Sequence, residues 1–235
     1  MPDDVVEVVH DLRAPLSVAS GYLSMLMDGT FGPAPGQWCA PLEVLGTKLE
    51  EARLLIDEIL VLRRMDCAPV ARSGNDQVNL TEAARTAAAR AQPRARLLQG
   101  SVVVDTGQVH SAIAKGDQRR TLRILDNLIN NALVYSGTTR RVVVRVEQED
   151  GPQVAVEDSG SGISEECRAQ LFEPFVRDEG SAEVGSGLGL FISRTLARQM
   201  GGDLTFHRRR GHSGSRFVLH LPSAQGPRLP DARSA

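Results

Sequence analysis

Between Val5 and Leu26 the apolar residues Val5, Val9, Leu12, Leu16, Ala19, Leu23 and Leu26 step alternately by four and by three. That is the heptad spacing: it lays one apolar seam along a helix and demands a facing helix to cover it. GTFGPAPGQ at residues 29–37 ends the run, and Leu42, Leu45, Leu49, Ala52, Ile56 and Ile59 then repeat the spacing. Residues 1–66 therefore predict a helical hairpin. Two helices leave much of such a stripe bare, so the economical arrangement is a homodimer whose paired hairpins make a four-helix bundle.

After a polar connector, residues 67–77, the pattern changes. SVVVD (101–105), RVVVRVEQE (141–149), QVAVED (153–158), DLTFH (203–207) and SRFVLHL (215–221) alternate or are β-branched, and predict strands. One helix is expected from an N-cap at Asp117 to about Tyr135, another from about Leu188 to Met200 with Gly201 and Gly202 as its stop. The whole is α+β: the hairpin, then an α/β sandwich over residues 78–223 with helices on one face of a mixed sheet. Residues 224–235 lack an apolar pattern and predict a disordered tail.

Composition narrows the partners. With 235 residues, 41% hydrophobic and 24% charged, the chain can bury one good core and a smaller second module. A net charge of -2 gives no global basic field for nucleic acid or an anionic membrane. Cys39, Cys67 and Cys167 form no metal-ligand pattern and suit a reducing compartment. The most apolar run, LLIDEILVL at residues 54–62, is broken by Asp57 and Glu58, and no signal layout opens the chain. A cytoplasmic protein with no membrane span is expected.

Two glycine clusters carry chemistry. EDSGSGI (157–163) follows a predicted strand and GSGLGL (185–190) opens a predicted helix. Glycine lets backbone approach a phosphate, and the N–H groups at a helix start face an anion with partial positive charge. Each cluster alone reads first as a tight loop, since Gly-rich turns mostly just turn. They come, however, in a set order with VVHDLRAPL (8–16), with DNLINNALVYS (126–136), which places Asn127 and Asn131 one turn apart, and with LFEPFVR (171–177).

These five blocks, HDLRAPL, NLINNALVYS, DSGSG, FEPF and GSGLGL, resemble the sensor histidine kinases, whose ATP-binding domain is similar to that of the gyrase and Hsp90-type ATPases. The resemblance covers residues 4–222. It implies ATP and Mg²⁺ as cofactors and a response regulator receiver domain as partner. It makes His10 the phosphoacceptor, with Asp11 hydrogen-bonding one ring nitrogen while the other attacks the γ-phosphorus. Pro15 would bend that helix. Asp158 would accept a hydrogen bond from the adenine amino group, with Gly160 and Gly162 turning the strand end beneath the base. Asn131 would ligate Mg²⁺ and Asn127 would support the same site from one turn earlier. An amide at Asn127 cannot take a proton from water, which favours transfer over hydrolysis. Gly185, Gly187, Leu188 and Gly189 would wrap the phosphates under a lid at residues 177–185. Tyr135 is balanced between the adenine pocket and packing; Phe172 and Phe175 are at least as much core as nucleotide contact.

Two positions depart from the family pattern. Ala14 stands where a Thr or Asn orients water for dephosphorylating the regulator, so weak phosphatase activity is expected. Val134 replaces a phosphate-binding cation, whose role Arg177 would take. The chain begins about nine residues before HDLRAPL, so two expectations stand side by side: a separate sensor or input protein that docks on the bundle or ATP domain, or a catalytic core whose sensor lies elsewhere. The alternatives are a non-catalytic dimeric phosphotransfer or scaffold protein with a degenerate ATP domain, favoured by Val134 alone, and a gyrase-like clamp, which leaves HDLRAPL unexplained.

Overall fold

A computed structural model of the chain describes residues 3–33, 35–46, 48–49, 52, 56, 76–138, 140–148, 151–176, 187–209 and 213–224, with side chains from residue 13 onward. It divides into two compact units, one from Met1–Ala71 and Ala182–Ile192, the other from Arg72–Ser181 and Ser193–Ala235.

The first unit holds α1 (Asp3–Met27) and a second helix, α2, which begins at residue 39 and is described at 39–46, 48–49, 52 and 56. α1 runs on through Pro15, which has no N–H to offer the Asp11 carbonyl one turn back. Leu23 meets Gly46: a Cβ added at that glycine would lie 3.2 Å from Leu23 Cδ2. Leu23 and Ile56 are buried, as the heptad spacing requires. Other seam positions stay open, among them Ala19, Leu26 and Leu45, the last 49% exposed. A single chain thus covers part of the predicted stripe and leaves the rest bare. The seam positions Val5, Val9 and Leu12 lie outside the described side chains, and Ile59 and the connector at 67–75 outside the described residues.

The second unit is a layer of helices on a five-stranded sheet. β1 is Gln77–Asn79, β2 Ser101–Asp105, β3 Ile113–Lys115, β4 Arg141–Glu147, β5 Gln153–Glu157, β6 Asp203–Arg208 and β7 Ser215–His220. The main sheet has the order β2-β4-β5-β7-β6, parallel only between β2 and β4, while β1 and β3 form a separate ribbon. α3 (Leu80–Leu97) and α4 (Gln118–Tyr135) pack against β2, β4 and β5. β4 shows why: Val142, Val144 and Val146 are buried, while Arg141, Val143, Arg145 and Glu147 point the other way. α4 answers with Ile124, Leu125, Leu128, Ile129 and Leu133, none measurably exposed. α3 presents small residues, Ala83, Ala84, Ala87, Ala88, Ala91 and Ala95, which bring its axis close to the sheet. Truncating a core leucine here, Leu128→Ala, costs about 2–5 kcal/mol.

The five expected strands form, each within two residues of its predicted ends. Asp117 caps α4, its carboxylate accepting from the Arg120 N–H at 2.7 Å. The predicted C-terminal helix is α6 (Gly189–Gln199), and it closes as expected: Gly202 N–H reaches the Ala197 carbonyl at 3.0 Å, with Gly201 at φ +79°. A short α5 (Glu165–Arg168) precedes it, capped by Ser164. Sequence pattern marked neither α3 nor the β1–β3 ribbon. α3 carries Pro93 inside it, and the left-handed residue just past its C-cap is Gln99, not glycine, at φ +56°. The ribbon strands are three residues long, too short to show a period. The predicted tail also starts one residue too early: Ser223 bridges to Ala114 and Ala224 N–H bonds the Ile113 carbonyl at 3.3 Å. Residues 225–235 lie outside the described residues. No helix among the described residues is long and apolar enough to cross a membrane.

Candidate nucleotide site

The end of β5 and the end of α4 meet at Gly160. A Cβ there would lie 2.0 Å from the Tyr135 carbonyl oxygen, so only glycine lets the two main chains approach this closely. The requirement is proximity and not a turn; the turn falls at Gly162, at φ +81°. Asn127, Asn131 and Tyr135 recur every fourth residue of α4, so they share one face, and the last of them adjoins this loop.

Asp158 is the buried charge of the site, 4% exposed. Its Oδ1 accepts the Gly160 N–H at 2.8 Å and the Ser215 N–H at 3.1 Å. Its own N–H returns a bond to the Ser215 carbonyl at 3.0 Å, tying the start of β7 to the end of β5. Burial pushes its carboxyl above the ordinary value; the bonds from Gly160 and Ser215, then the Arg209 charge, pull the other way. A carboxylate has about four acceptor sites. Two backbone donors and the Ser215 hydroxyl leave room for one more, of the kind an exocyclic amine supplies.

Asn127 and Asn131 differ in their engagement. The Asn127 amide donates to Ser193 Oγ on α6 at 2.9 Å. Asn131 is half-buried and its side chain makes no hydrogen bond to another described residue, so its amide oxygen can serve a hard cation. A residue set of this kind fits a magnesium nucleotide: amide oxygen from the protein, the remaining ligands from phosphates and water. Val134 is half-buried, and Tyr135 exposes 43% of its surface, so its ring does not pack into the core.

The FEPF segment is held from α6 as well. The Arg194 guanidinium lies 4.6 Å above the Phe172 ring and also grips Asp203 through Nε at 2.9 Å and Nη2 at 3.2 Å. Phe172 is half-buried and Phe175 is 66% exposed, so neither is the ordinary core residue that its hydrophobicity suggested. Phe175 sits at φ +66°, rare for a bulky side chain and found where surrounding structure imposes it.

Gly187 at φ +73°, Leu188 and Gly189 open α6, with the Leu188 carbonyl accepting the Ile192 N–H at 2.9 Å and the Leu188 side chain fully buried. His10 and Asp11 are on α1, where the backbone is helical and the side chains lie outside those described. Arg177 and Gly185 lie outside the described residues.

Sequence pattern missed four contributors: Ser193, Arg209, Gly214 and Ser215. Gly214, at φ +124°, lets the β6–β7 turn pass so close that a Cβ would meet the Asp158 carbonyl oxygen at 2.2 Å. Its signal was available in GSRFVLH, where a glycine immediately precedes a strand. Ser193 carried none, being one polar residue inside a helix.

Comparison with known proteins places these residues in two families. Residues 116–225 match the histidine kinase-, DNA gyrase B-, and HSP90-like ATPase family, and residues 7–68 the His Kinase A (phospho-acceptor) domain. The swarming motility regulation sensor protein RssA of Serratia marcescens is 26% identical over 228 residues, covering 95% of this chain and 47% of that protein. Sensor protein SrrB of Staphylococcus aureus is 25% identical over 239 residues, covering 95% of this chain and 38% of that protein. The chain thus spans less than half the length of these curated relatives. Among solved structures, full-length ShkA in complex with AMPPNP shares the fold at a TM-score of 0.70 and 23% identity, over 97% of this chain and 48% of that one. The mycobacterial sensor histidine kinase MprB aligns at a TM-score of 0.54 and 26% identity, over 63% of this chain and 99% of that one.

Proposed function

We propose, since the chain belongs to the sensor histidine kinases, that it phosphorylates its own His10 from ATP and passes the phosphoryl group to an aspartate of a response regulator. The observation that carries this reading is the buried Asp158 carboxylate, organised by three N–H and hydroxyl groups at the end of the α4 face that bears Asn127 and Asn131. In this reading Asp158 selects the base, Gly160 and Gly162 leave room for it, and Tyr135 and Phe175 border it.

Asn131, supported by Asn127, would hold Mg²⁺, which when bound offsets phosphate charge. Arg177, Gly185, Gly187, Leu188 and Gly189 would close over the phosphates. The neutral imidazole of His10, oriented by Asp11, attacks in line: a P–N bond forms as the P–O bond to ADP breaks. With Asn127 in place of an acid, water near the γ-phosphate has no general base, which favours transfer over hydrolysis. The open seam of α1 and α2 is covered by a second copy of the chain in a four-helix bundle. The hairpin at 1–66 and the ATP domain at 78–223 are then joined by the connector at 67–77, in a cytoplasmic homodimer.

Incubation of the purified protein with Mg²⁺ and γ-labelled ATP tests this, beside His10→Gln and Asn131→Ala. Label that is labile in acid, stable in alkali and lost in both variants is expected. Nucleotide binding without label in the wild type, or label that survives His10→Gln, would remove the assignment.

A further inference from the structure

Arg209 lies just beyond β6, where it touches two consecutive residues at the end of β5. Its Nη1 donates to the Asp158 carbonyl oxygen at 2.9 Å, and its Nε stands 3.7 Å from Glu157 Oε2. Successive residues of a strand point to opposite faces, so the Glu157 and Asp158 side chains leave the backbone on opposite sides. Arg209 joins the Glu157 carboxylate to the Asp158 main chain, from which the Asp158 carboxylate departs.

Glu157 is 7% exposed and anchors a charge-balanced cluster. Arg216 and Arg145 bond its carboxylate, Arg145 also pairs with Asp105, and Arg216 holds Glu147 through Nη2 at 2.8 Å. With Arg209, three guanidinium groups face three carboxylates, so no buried charge is left uncompensated. A bridge anchored in such a cluster has little freedom to move.

The same β6–β7 turn grips Asp158 at three further points. Ser215 N–H holds Oδ1, the Ser215 carbonyl accepts the Asp158 N–H, and Gly214 lies against the Asp158 carbonyl. Arg209 is the one charged side chain among these contacts. Its planar fork can serve a carbonyl and a carboxylate together, which a lysine ammonium does less well.

We propose that Arg209 is a positioning residue: it fixes the Asp158 carboxylate to receive a 6-amino purine, and so sets the discrimination between adenine and guanine nucleotides. The inference rests on the ATP-site reading above. The carboxylate meets a donor on adenine but an acceptor oxygen on guanine, so a displaced carboxylate loses affinity for the first and loses its rejection of the second. The Arg209 charge is also among the forces that keep Asp158 ionised.

The test is binding of AMPPNP and GMPPNP to the full chain across mildly acidic to neutral pH, for wild type, Arg209→Gln and Arg209→Lys. Arg209→Gln is expected to weaken AMPPNP about tenfold, the scale of one charge-assisted hydrogen bond, while GMPPNP, no longer rejected, binds at least as well as to wild type. The pH midpoint of AMPPNP binding should move up in Arg209→Gln and return toward wild type in Arg209→Lys. Unchanged affinity ratio and midpoint in Arg209→Gln would overturn the proposal, as would equal weakening of both nucleotides with an unmoved midpoint, the mark of a merely structural role. If Arg209→Gln does not fold, Arg209→Lys decides: a ratio identical to wild type overturns the proposal. A wild-type chain that binds no AMPPNP overturns the ATP-site reading and this inference together, whereas wild-type binding with indifferent variants overturns this inference alone.

Discussion

The Asn127 side-chain amide donates to Ser193 Oγ across 2.9 Å, joining α4 to α6. Ser193 is 2% exposed, so this bond is made away from water and fixes the rotamer of Asn127 on the face it shares with Asn131. Ser193→Ala leaves a donor unpaired and is expected to cost about 1–3 kcal/mol. For a chain of this size that lowers Tm by roughly 2–4 °C per kcal/mol. Labelling of His10 from ATP should fall several-fold in the folded variant. Labelling and melting equal to wild type would show that the pair holds nothing in place.

Gly160→Ala should separate close approach from turning. The new methyl would meet main-chain atoms of Tyr135, which cannot step aside as a flexible side chain could. Overpacking of this kind costs about 1–3 kcal/mol, and nucleotide binding should be lost because β5 and α4 are forced apart. At Gly162 a Cβ has no contact closer than 3.6 Å, and its strain comes from φ alone, about 1–2 kcal/mol. Titration of both variants with AMPPNP should find Gly160→Ala the more damaged.

Asp158→Asn should trade function for stability. Burial raises the Asp158 carboxyl, so the folded chain holds this proton more tightly than the unfolded chain does. Its contribution to stability therefore falls as pH rises from the ordinary carboxylate value through the raised folded value. An asparagine oxygen can still accept from Gly160 and Ser215. Free of nucleotide, Asp158→Asn should melt no lower than wild type at neutral pH, with a flatter pH dependence, and bind AMPPNP far less well. A lower neutral-pH melting temperature in the variant would contradict this account.

Asp203 has the opposite sign. Burial alone would raise its carboxyl, but bonds from Arg194, the Leu204 N–H and Arg198 outweigh burial and hold it below the ordinary value. Its contribution is present above the ordinary carboxylate value and is lost as pH falls through the lowered one. The pair is partly exposed, so the effect is small and salt-dependent. Acid titration of wild type and Asp203→Asn, followed by circular dichroism at low and high salt, should show a steeper acid loss in wild type that salt reduces.

Ala14 is exposed on α1, four residues past His10, and its methyl cannot orient a water. With ADP, the wild type should dephosphorylate its response regulator slowly, and Ala14→Thr should speed the reaction. Rapid loss of phosphate from the regulator with wild type, unimproved by Ala14→Thr, would dispose of the assignment.

Periodicity sufficed where one physical demand dominates. The heptad steps from Val5 to Leu26 require a helix with a partner, and alternation in RVVVRVE requires a strand with one covered face, whatever the rest of the chain does. The order of the five blocks likewise pointed to the proposed roles of Asp158 and Asn131, because nucleotide sites reuse backbone at glycines and a few polar side chains. Local pattern failed where stability comes from elsewhere. α3, Ala-rich and interrupted by Pro93, is a helix because it lies on β2 and beside α4.

The sequence by itself determined the paired helices, the alternating strands and the glycine loops, since these follow from short-range period and residue type. Tertiary structure alone decided that Gly160 serves contact with Tyr135, that Asn127 rests on Ser193, and that Arg209 bridges Glu157 and Asp158. Each of these joins residues from elements distant in sequence or on opposite strand faces. Distances of that kind are fixed by how the sheet is ordered and what packs on it, and neither period nor composition encodes them.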